Sequence, residues 1–226
     1  MCIICDGESL AGRKILNCSG CRKVTKVPYI PELEVLICDN CPNLYWIPPI
    51  RGLQVLWCYN CPNLDSIPPI RGLRELWCSD CPGLKSVPPI PGLKELSCYN
   101  CINLGSVPRI RGLWKLDCSG CPKLRRVPQI PGLKKLWCHD CVGLELIAPI
   151  RGLQVLWCYN CPKLRRVPQI PKLRELWCSD CPLLELIPPI PGLRELYCFN
   201  CINLSSVPQI PGLRKIDCSG CPLLET

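Results

Sequence analysis

The residues best suited to chemistry in this sequence are its cysteines, which number 24 among 226 residues. All of them lie in Cys-x-x-Cys pairs, and eleven pairs follow one another at a constant step of 20 residues, from Cys18/Cys21 to Cys218/Cys221. A further pair, Cys2/Cys5, is out of phase. The spacing Cys-x2-Cys-x16-Cys-x2-Cys falls within the range of zinc sites. The same thiols could also form disulfides or act as redox groups.

Other groups that catalysis uses are scarce. His139 is the only histidine, so most acid–base and nucleophile–base pairs would lack a base. It replaces a tyrosine or serine at a variable position of the repeat, where we expect an ordinary surface residue. The composition therefore predicts a protein that is not an enzyme and holds no cofactor.

Neither secretion nor membrane insertion is expected. The sequence MCIICDGESLAGRK has no basic region followed by an apolar run of about 7 residues or more. No stretch approaches the roughly 18 apolar residues of a membrane span. We therefore expect a reducing compartment such as the cytoplasm, where thiols stay free.

Three arguments favour structural thiols over a zinc-binding cysteine array. Leucines such as Leu56 and Leu64 flank the cysteines, where metal ligands would need polar neighbours. A four-cysteine site would use repeats in pairs, whereas the sequence duplicates blocks of five repeats. No histidine or carboxylate replaces an in-phase cysteine. Buried thiols that pack as small hydrophobic groups are the favoured interpretation, with metal, disulfide and redox roles as the alternatives.

The elements that position the cysteines follow from the apolar pattern. In the unit at residues 191–210, PGLRELYCFNCINLSSVPQI, Leu196 and Cys198 are two residues apart, as on one face of a short strand. The other apolar positions are three apart, which suits a coil that keeps the same side chains inward. Prolines near the end of each repeat forbid helix and favour extended polyproline conformation. Glycines such as Gly52, Gly92 and Gly192 are expected to permit the following corner.

Each repeat is thus predicted to be a strand, a turn, an extended segment and a second turn. Stacked repeats bury a continuous core that no single repeat could form. We divide the chain into an N-terminal capping segment at 1–10, with an irregular strand beside residues 14–19, and one solenoid at 11–226. Residues 51–62 recur identically at 151–162, which indicates duplication of a five-repeat block and predicts that surface features occur twice.

The pattern LxxLxCxxCxxLxxIP resembles the leucine-rich repeat. The 20-residue length and the extended convex segment resemble short repeats of bacterial effectors, and the doubled cysteines are most similar to leucine-rich proteins encoded by large DNA viruses of amoebae. This resemblance implies an all-β-like solenoid with parallel strands on the concave face, extended polyproline segments on the convex face and little or no helix. It also implies a recognition surface, and a location in the cytoplasm or within a virus particle.

In such a fold, one residue of each strand faces the concave solvent, and aromatic residues concentrate there. The predicted partner-binding residues form two groups, the first being Trp57, Tyr59, Trp77 and Tyr99, and the second Trp137, Trp157, Tyr159, Trp177, Tyr197 and Phe199. The polar pair Ser97 and Asp117 separates them. Aromatic ladders also stabilise neighbouring strands, but exposed aromatic clusters mark interaction sites.

The net charge of +9 is a weak guide, because acidic residues interrupt every basic stripe. Nucleic-acid binding is therefore disfavoured. The predicted function is a non-enzymatic scaffold that recognises a protein partner through the concave aromatic face. The alternatives are a structural component of a larger assembly, such as a virus particle, and a zinc-binding cysteine array. Open solenoid ends could also support self-association.

Overall fold

The computed structural model of the protein describes residues 2, 4–7 and 9–224. Met1, Ile3 and Glu8 of the predicted capping segment, and Glu225 and Thr226 of the predicted solenoid, lie outside the described residues. The strands are β1 (Ile15–Asn17), β2 (Val35–Ile37), β3 (Val55–Trp57), β4 (Glu75–Trp77), β5 (Glu95–Ser97), β6 (Lys115–Asp117), β7 (Arg126–Val127), β8 (Lys135–Trp137), β9 (Leu146–Ile147), β10 (Val155–Trp157), β11 (Glu175–Trp177), β12 (Glu195–Tyr197) and β13 (Lys215–Asp217). A short 3₁₀ turn spans Pro222–Leu224.

One long parallel sheet forms the concave side. It has 11 strands in the order β1-β2-β3-β4-β5-β6-β8-β10-β11-β12-β13. Each residue pairs with the one 20 positions later, as Leu56 does with Leu76. The middle residue of a strand such as β3 is buried, while Val55 and Trp57 on either side are partly exposed. The predicted solenoid with parallel concave strands is confirmed.

The core is a continuous column of leucine, isoleucine, valine and cysteine side chains that runs the length of the sheet. Within one repeat, Leu53, Leu56, Cys58, Cys61 and Leu64 are all fully buried. These are the positions of the predicted inward pattern. Because the pattern repeats without insertion, each side chain packs against its equivalents in the neighbouring turns.

The convex side is extended, as predicted, and among the described residues the only helical element is the turn at Pro222–Leu224. A second, shorter ladder lies beside the extended segments. β7 and β9 pair in parallel there, and isolated bridges such as Ser86 to Ser106 continue the line. Sequence reasoning did not predict this ladder, since single paired residues leave no alternating pattern.

The turn inside each in-phase Cys-x-x-Cys pair is left-handed at its second residue. Asn60, Asp80 and Asn100 have φ between 53° and 54°. Asparagine, aspartate and glycine tolerate this conformation, which explains why only they occupy the position. The side chains also form a ladder, in which the amide of Asn100 donates to the carboxylate of Asp80 at 2.6 Å.

The corner glycines are only partly as expected. Gly52 and Gly92 have φ of +88° and +93°, so they use the conformational freedom that glycine offers. Gly192 lies outside the left-handed region, and the prediction for it was wrong. The corner before β11 has Lys172 at the same repeat position, without a positive φ. In this part of the chain the corner therefore adopts a form that any L-residue accepts.

The described residues of the N-terminal segment do not form the expected irregular strand. Among its described residues, 4–7 form a turn, closed by the Cys5 N–H donating to the Cys2 carbonyl at 2.8 Å. Cys2, Ile4 and Leu10 pack against the first turn of the core. At the other end, Ile216 of β13 is 56% exposed, although its equivalents in the preceding strands are buried.

Candidate functional site

The predicted aromatic residues line up on the concave face because they follow the inward leucine of each strand. Trp57 and Trp77 stack with ring centroids 4.8 Å apart. In the second group, Trp157 stacks on Trp177 at 4.9 Å, and Trp177 contacts Tyr197 at 4.6 Å. The parallel register places each ring directly beside the ring of the next repeat, so the ladder interpretation describes part of what these residues do.

Stacking covers more of the second group than of the first. Trp137, Trp157, Trp177, Tyr197 and Phe199 are each only partly exposed. The aromatic residues most open to solvent on this face are Tyr59, Trp77 and Tyr99, at 37–38% exposure. All three belong to the first group. The exposed aromatic surface is therefore concentrated in one half of the face.

A cavity of about 490 Å³ opens where the two groups meet, and we call it the central pocket. Ser97 and Asp117 form its floor, because these small side chains leave a gap in the ladder of rings. Trp77 stands on one side and Trp137 on the other. The lining residues are Asp39, Trp57, Tyr59, Trp77, Ser79, Glu95, Leu96, Ser97, Tyr99, Lys115, Asp117 and Trp137.

The charged residues of the central pocket are three carboxylates and one ammonium group. Lys115 Nζ lies 3.2 Å from a Glu95 oxygen and 5.5 Å from the centroid of the Trp137 ring. Asp117 Oδ1 accepts from the Ser119 hydroxyl at 2.5 Å, and Asp39 Oδ1 accepts from the Tyr59 N–H at 2.9 Å. Glu95 is thus neutralised by Lys115, and the remaining charge of the pocket is negative.

Tyr99 borders the pocket near the Asp80 carboxylate. A hydrogen bond to the Asp80 carboxylate, reinforced by burial, raises the pKa of the Tyr99 phenol to about 12. The hydroxyl therefore stays protonated at neutral pH.

The two five-repeat blocks differ at the position of the pocket. In the second block Tyr197 occupies the position that corresponds to Ser97, and its ring packs on Trp177. The duplication predicts paired surface features, and at this position the first block has a gap between rings where the second block has a ring. Sequence reasoning named Ser97 and Asp117 as a separator but missed Asp39, Ser79, Glu95 and Lys115 as lining residues. The sequence does contain a signal for the pocket, because small side chains interrupt the series of tryptophans at the ends of the concave strands.

The in-phase cysteines form a ladder of their own within the core. The second thiol of each pair donates to the backbone carbonyl of the first cysteine in the preceding repeat, as Cys61 Sγ does to Cys38 O at 3.1 Å. Equivalent bonds run from Cys41 to Cys221. A thiol here fills a small apolar site and satisfies a buried carbonyl.

Burial raises the pKa of Cys78, Cys98 and Cys118 well above the usual value of a thiol. The same cause raises the pKa of Cys101 and Cys141 to about 11. Metal ligation and nucleophilic attack both need the thiolate. These geometric and electrostatic features support structural thiols at these five positions.

Thiol labelling of the native protein in metal-free, reducing-agent-free buffer should therefore be confined to the ends. Cys5 is exposed, Cys2 and Cys218 are half-buried, and the repeat cysteines between them are buried. Mass spectrometry after brief alkylation should place the label on these three, whereas denaturant should make the others reactive. Labelling of Cys98, Cys118 or Cys138 at the rate of Cys5 would contradict the buried ladder.

The fold is a parallel β-solenoid whose long sheet carries the concave site. A family model described as Leucine Rich Repeat matches residues 172–193. Among solved structures, the crystal structure of a leucine-rich repeat protein from Bacteroides ovatus is similar with 19% sequence identity and a TM-score of 0.48, covering 93% of this chain and 80% of that chain. Comparison with curated proteins finds no match. Solenoids of this class typically present extended concave surfaces for protein recognition.

No helix in the described part of the chain is long and apolar enough to cross a membrane.

Proposed function

We propose that the protein is a non-enzymatic recognition scaffold that binds a protein partner on its concave face, with the central pocket holding an anchor side chain. The observation that carries the proposal is the cavity of about 490 Å³ between Trp77 and Trp137. Aromatic residues around a concave, partly apolar pocket are the usual anchors of binding energy. The predicted partner-binding residues of the second aromatic group extend the contact surface along the sheet.

The charges of the pocket favour a basic anchor. Lys115 already places an ammonium group against Trp137 and neutralises Glu95. Asp39, Asp117 and the exposed face of Trp77 lie opposite, without a lysine or arginine among the other lining residues. An arginine or lysine of a partner could stack on Trp77 as a cation–π contact and approach both carboxylates. The same carboxylates disfavour the phosphate backbone of a nucleic acid.

Selection from a random peptide display library tests this proposal without knowledge of the natural partner. Peptides captured by the folded protein should be enriched in arginine or lysine, and their affinity should fall as ionic strength rises. The matched variant is Asp39→Asn/Asp117→Asn, which keeps both Oδ1 acceptors but removes both charges. We expect the variant to bind the selected peptides at least about 10-fold more weakly, since charge-assisted hydrogen bonds contribute about 1.5–3 kcal/mol each.

Peptides without basic enrichment, or peptides that bind the uncharged variant equally well, would contradict the basic anchor. Peptides that bind only to the convex face would contradict the proposed site as a whole.

The second candidate is a structural component of a larger assembly, which a virus particle would exemplify. This function is favoured by Ile216 of β13. Its equivalents in the other strands are buried in the core, but Ile216 is 56% exposed. A second copy or further chain could cover this end of the core. Light scattering distinguishes the two functions: concentration-dependent association that Ile216→Lys abolishes supports assembly through this end.

A further inference from the structure

The out-of-phase cysteines of the N-terminal segment meet a repeat cysteine in space. The Sγ atoms of Cys2, Cys5 and Cys21 all lie within 4.8 Å of one another. The Sγ atoms of Cys5 and Cys21 are 3.5 Å apart. Cys2 is half-buried and Cys5 is exposed. This cluster differs from the buried ladder, because its three thiols lie close to one another at the N-terminal end of the core and only Cys21 is buried.

The separation suits a thiophilic metal ion. Zinc–thiolate bonds of about 2.3 Å in a tetrahedral site place the sulfur atoms about 3.8 Å apart. The observed spacing requires side-chain adjustments of about 1 Å at most. Cys2 and Cys5 also lie on one tight turn, in which the N–H groups of Cys5 and Asp6 both donate to the Cys2 carbonyl, at 2.8 and 2.9 Å. This turn holds two thiols on the same side of the backbone.

A cavity of about 310 Å³ adjoins the three sulfur atoms and is lined also by Asp6, Arg22 and Lys23. Three thiolates, one divalent ion and the Asp6 carboxylate carry a net charge of about −2, which Arg22 and Lys23 would offset. The cavity leaves space for a water molecule at a fourth coordination position.

We propose that Cys2, Cys5 and Cys21 bind one zinc ion that ties the N-terminal segment to the first repeat. This site is separate from the zinc-binding array considered from the sequence, because it uses the out-of-phase pair and a single repeat cysteine. A bound zinc ion would hold Cys2 and residues 4–7 against the end of the core, where Cys2, Ile4 and Leu10 already pack. The proposal is independent of the concave face and its partner.

The test uses the full chain, stripped with a chelator under reducing conditions and then given Zn²⁺ alone. Native mass spectrometry should show one bound zinc ion per chain, and alkylation of Cys2 and Cys5 should slow when zinc is added. Binding should weaken on acidification, since protons compete for the thiolates. A Cys2→Ser/Cys5→Ser variant should lose the ion while its circular dichroism stays unchanged, because neither residue lies in the sheet.

The matched control is Cys218→Ser at the opposite end, where Cys198 and Cys218 place only two thiols together, 2.7 Å apart. The Cys218→Ser variant should retain the zinc ion. Zinc should slow the alkylation of its Cys2 and Cys5 as it does in the unchanged protein. The proposal is overturned if no zinc binds, if the double variant keeps its zinc, or if Cys5 and Cys21 form a disulfide under the same reducing conditions.

Discussion

Replacing Trp77 and Trp137 with serine is expected to weaken binding of a selected peptide at least about 100-fold, because interface hot-spot residues contribute about 2 kcal/mol or more each. Trp77 is among the most exposed aromatic residues of the concave face, and both rings line the central pocket. The two substitutions remove both aromatic sides of the cavity. Isothermal titration calorimetry with the same peptide measures the loss directly.

The fold should survive these substitutions. Trp77 stacks on Trp57 and Trp137 contacts Trp157 edge-on, and the loss of each aromatic pair costs about 1 kcal/mol. The matched control is Trp46→Ser, which removes a tryptophan that is 44% exposed in the ladder of the convex side. Equal loss of binding in the control, or unchanged affinity in the double variant, would show that the central pocket is not the site.

Leu136→Ala is expected to lower the free energy of unfolding by about 2–5 kcal/mol, the usual range for a buried leucine that leaves a cavity. Leu136 is the fully buried middle residue of β8 and pairs with Leu116 and Leu156 on either side. Packing on both sides prevents the neighbouring repeats from collapsing into the gap. Urea unfolding followed by circular dichroism measures the change.

The comparison variant is Ile216→Ala, which lies in the same column of the sheet but is 56% exposed. Its cost should be below about 1 kcal/mol, because little apolar area is lost from the core. The contrast tests whether stability depends on stacked neighbours, as a solenoid requires. Equal costs at the two positions would contradict a continuous core that is open at β13.

The repeat pattern was enough to predict the solenoid, its parallel strands and its core. Leu196 and Cys198 belong to a spacing that recurs without insertion, so every copy adds to the same signal. The extended convex side followed from proline chemistry. The corner at Gly192 could not be predicted, because a glycine permits a positive φ without requiring one.

The central pocket could not be predicted by comparing the equivalent positions of the repeats one at a time. It depends on Ser97 and Asp117 being small while the rings of Trp77 and Trp137 remain on either side, and therefore on packing between repeats. The two aromatic groups differ in solvent exposure for the same reason. Packing between repeats sets the stacking distances, and these determine how much of each ring stays exposed.

The meeting of Cys2 and Cys5 with Cys21 was also not predicted. An out-of-phase pair has no register with the repeats, so the sequence contains no information about which turn it approaches. The prediction of an irregular strand there was wrong for the described residues because the segment forms a turn instead. The conformation of a terminal segment outside the repeats depends more on local turn geometry than on the repeat pattern.

The most direct test of the central claim is photo-crosslinking from the rim of the central pocket. A benzophenone amino acid in place of Tyr99, which is 38% exposed, would be incubated with extract from the natural source, in parallel with the same group at the exposed convex residue Gln129. We predict one protein crosslinked from position 99, at a basic segment, and none from position 129. Crosslinking of the same protein from position 129 but not from position 99 would contradict recognition through the concave face.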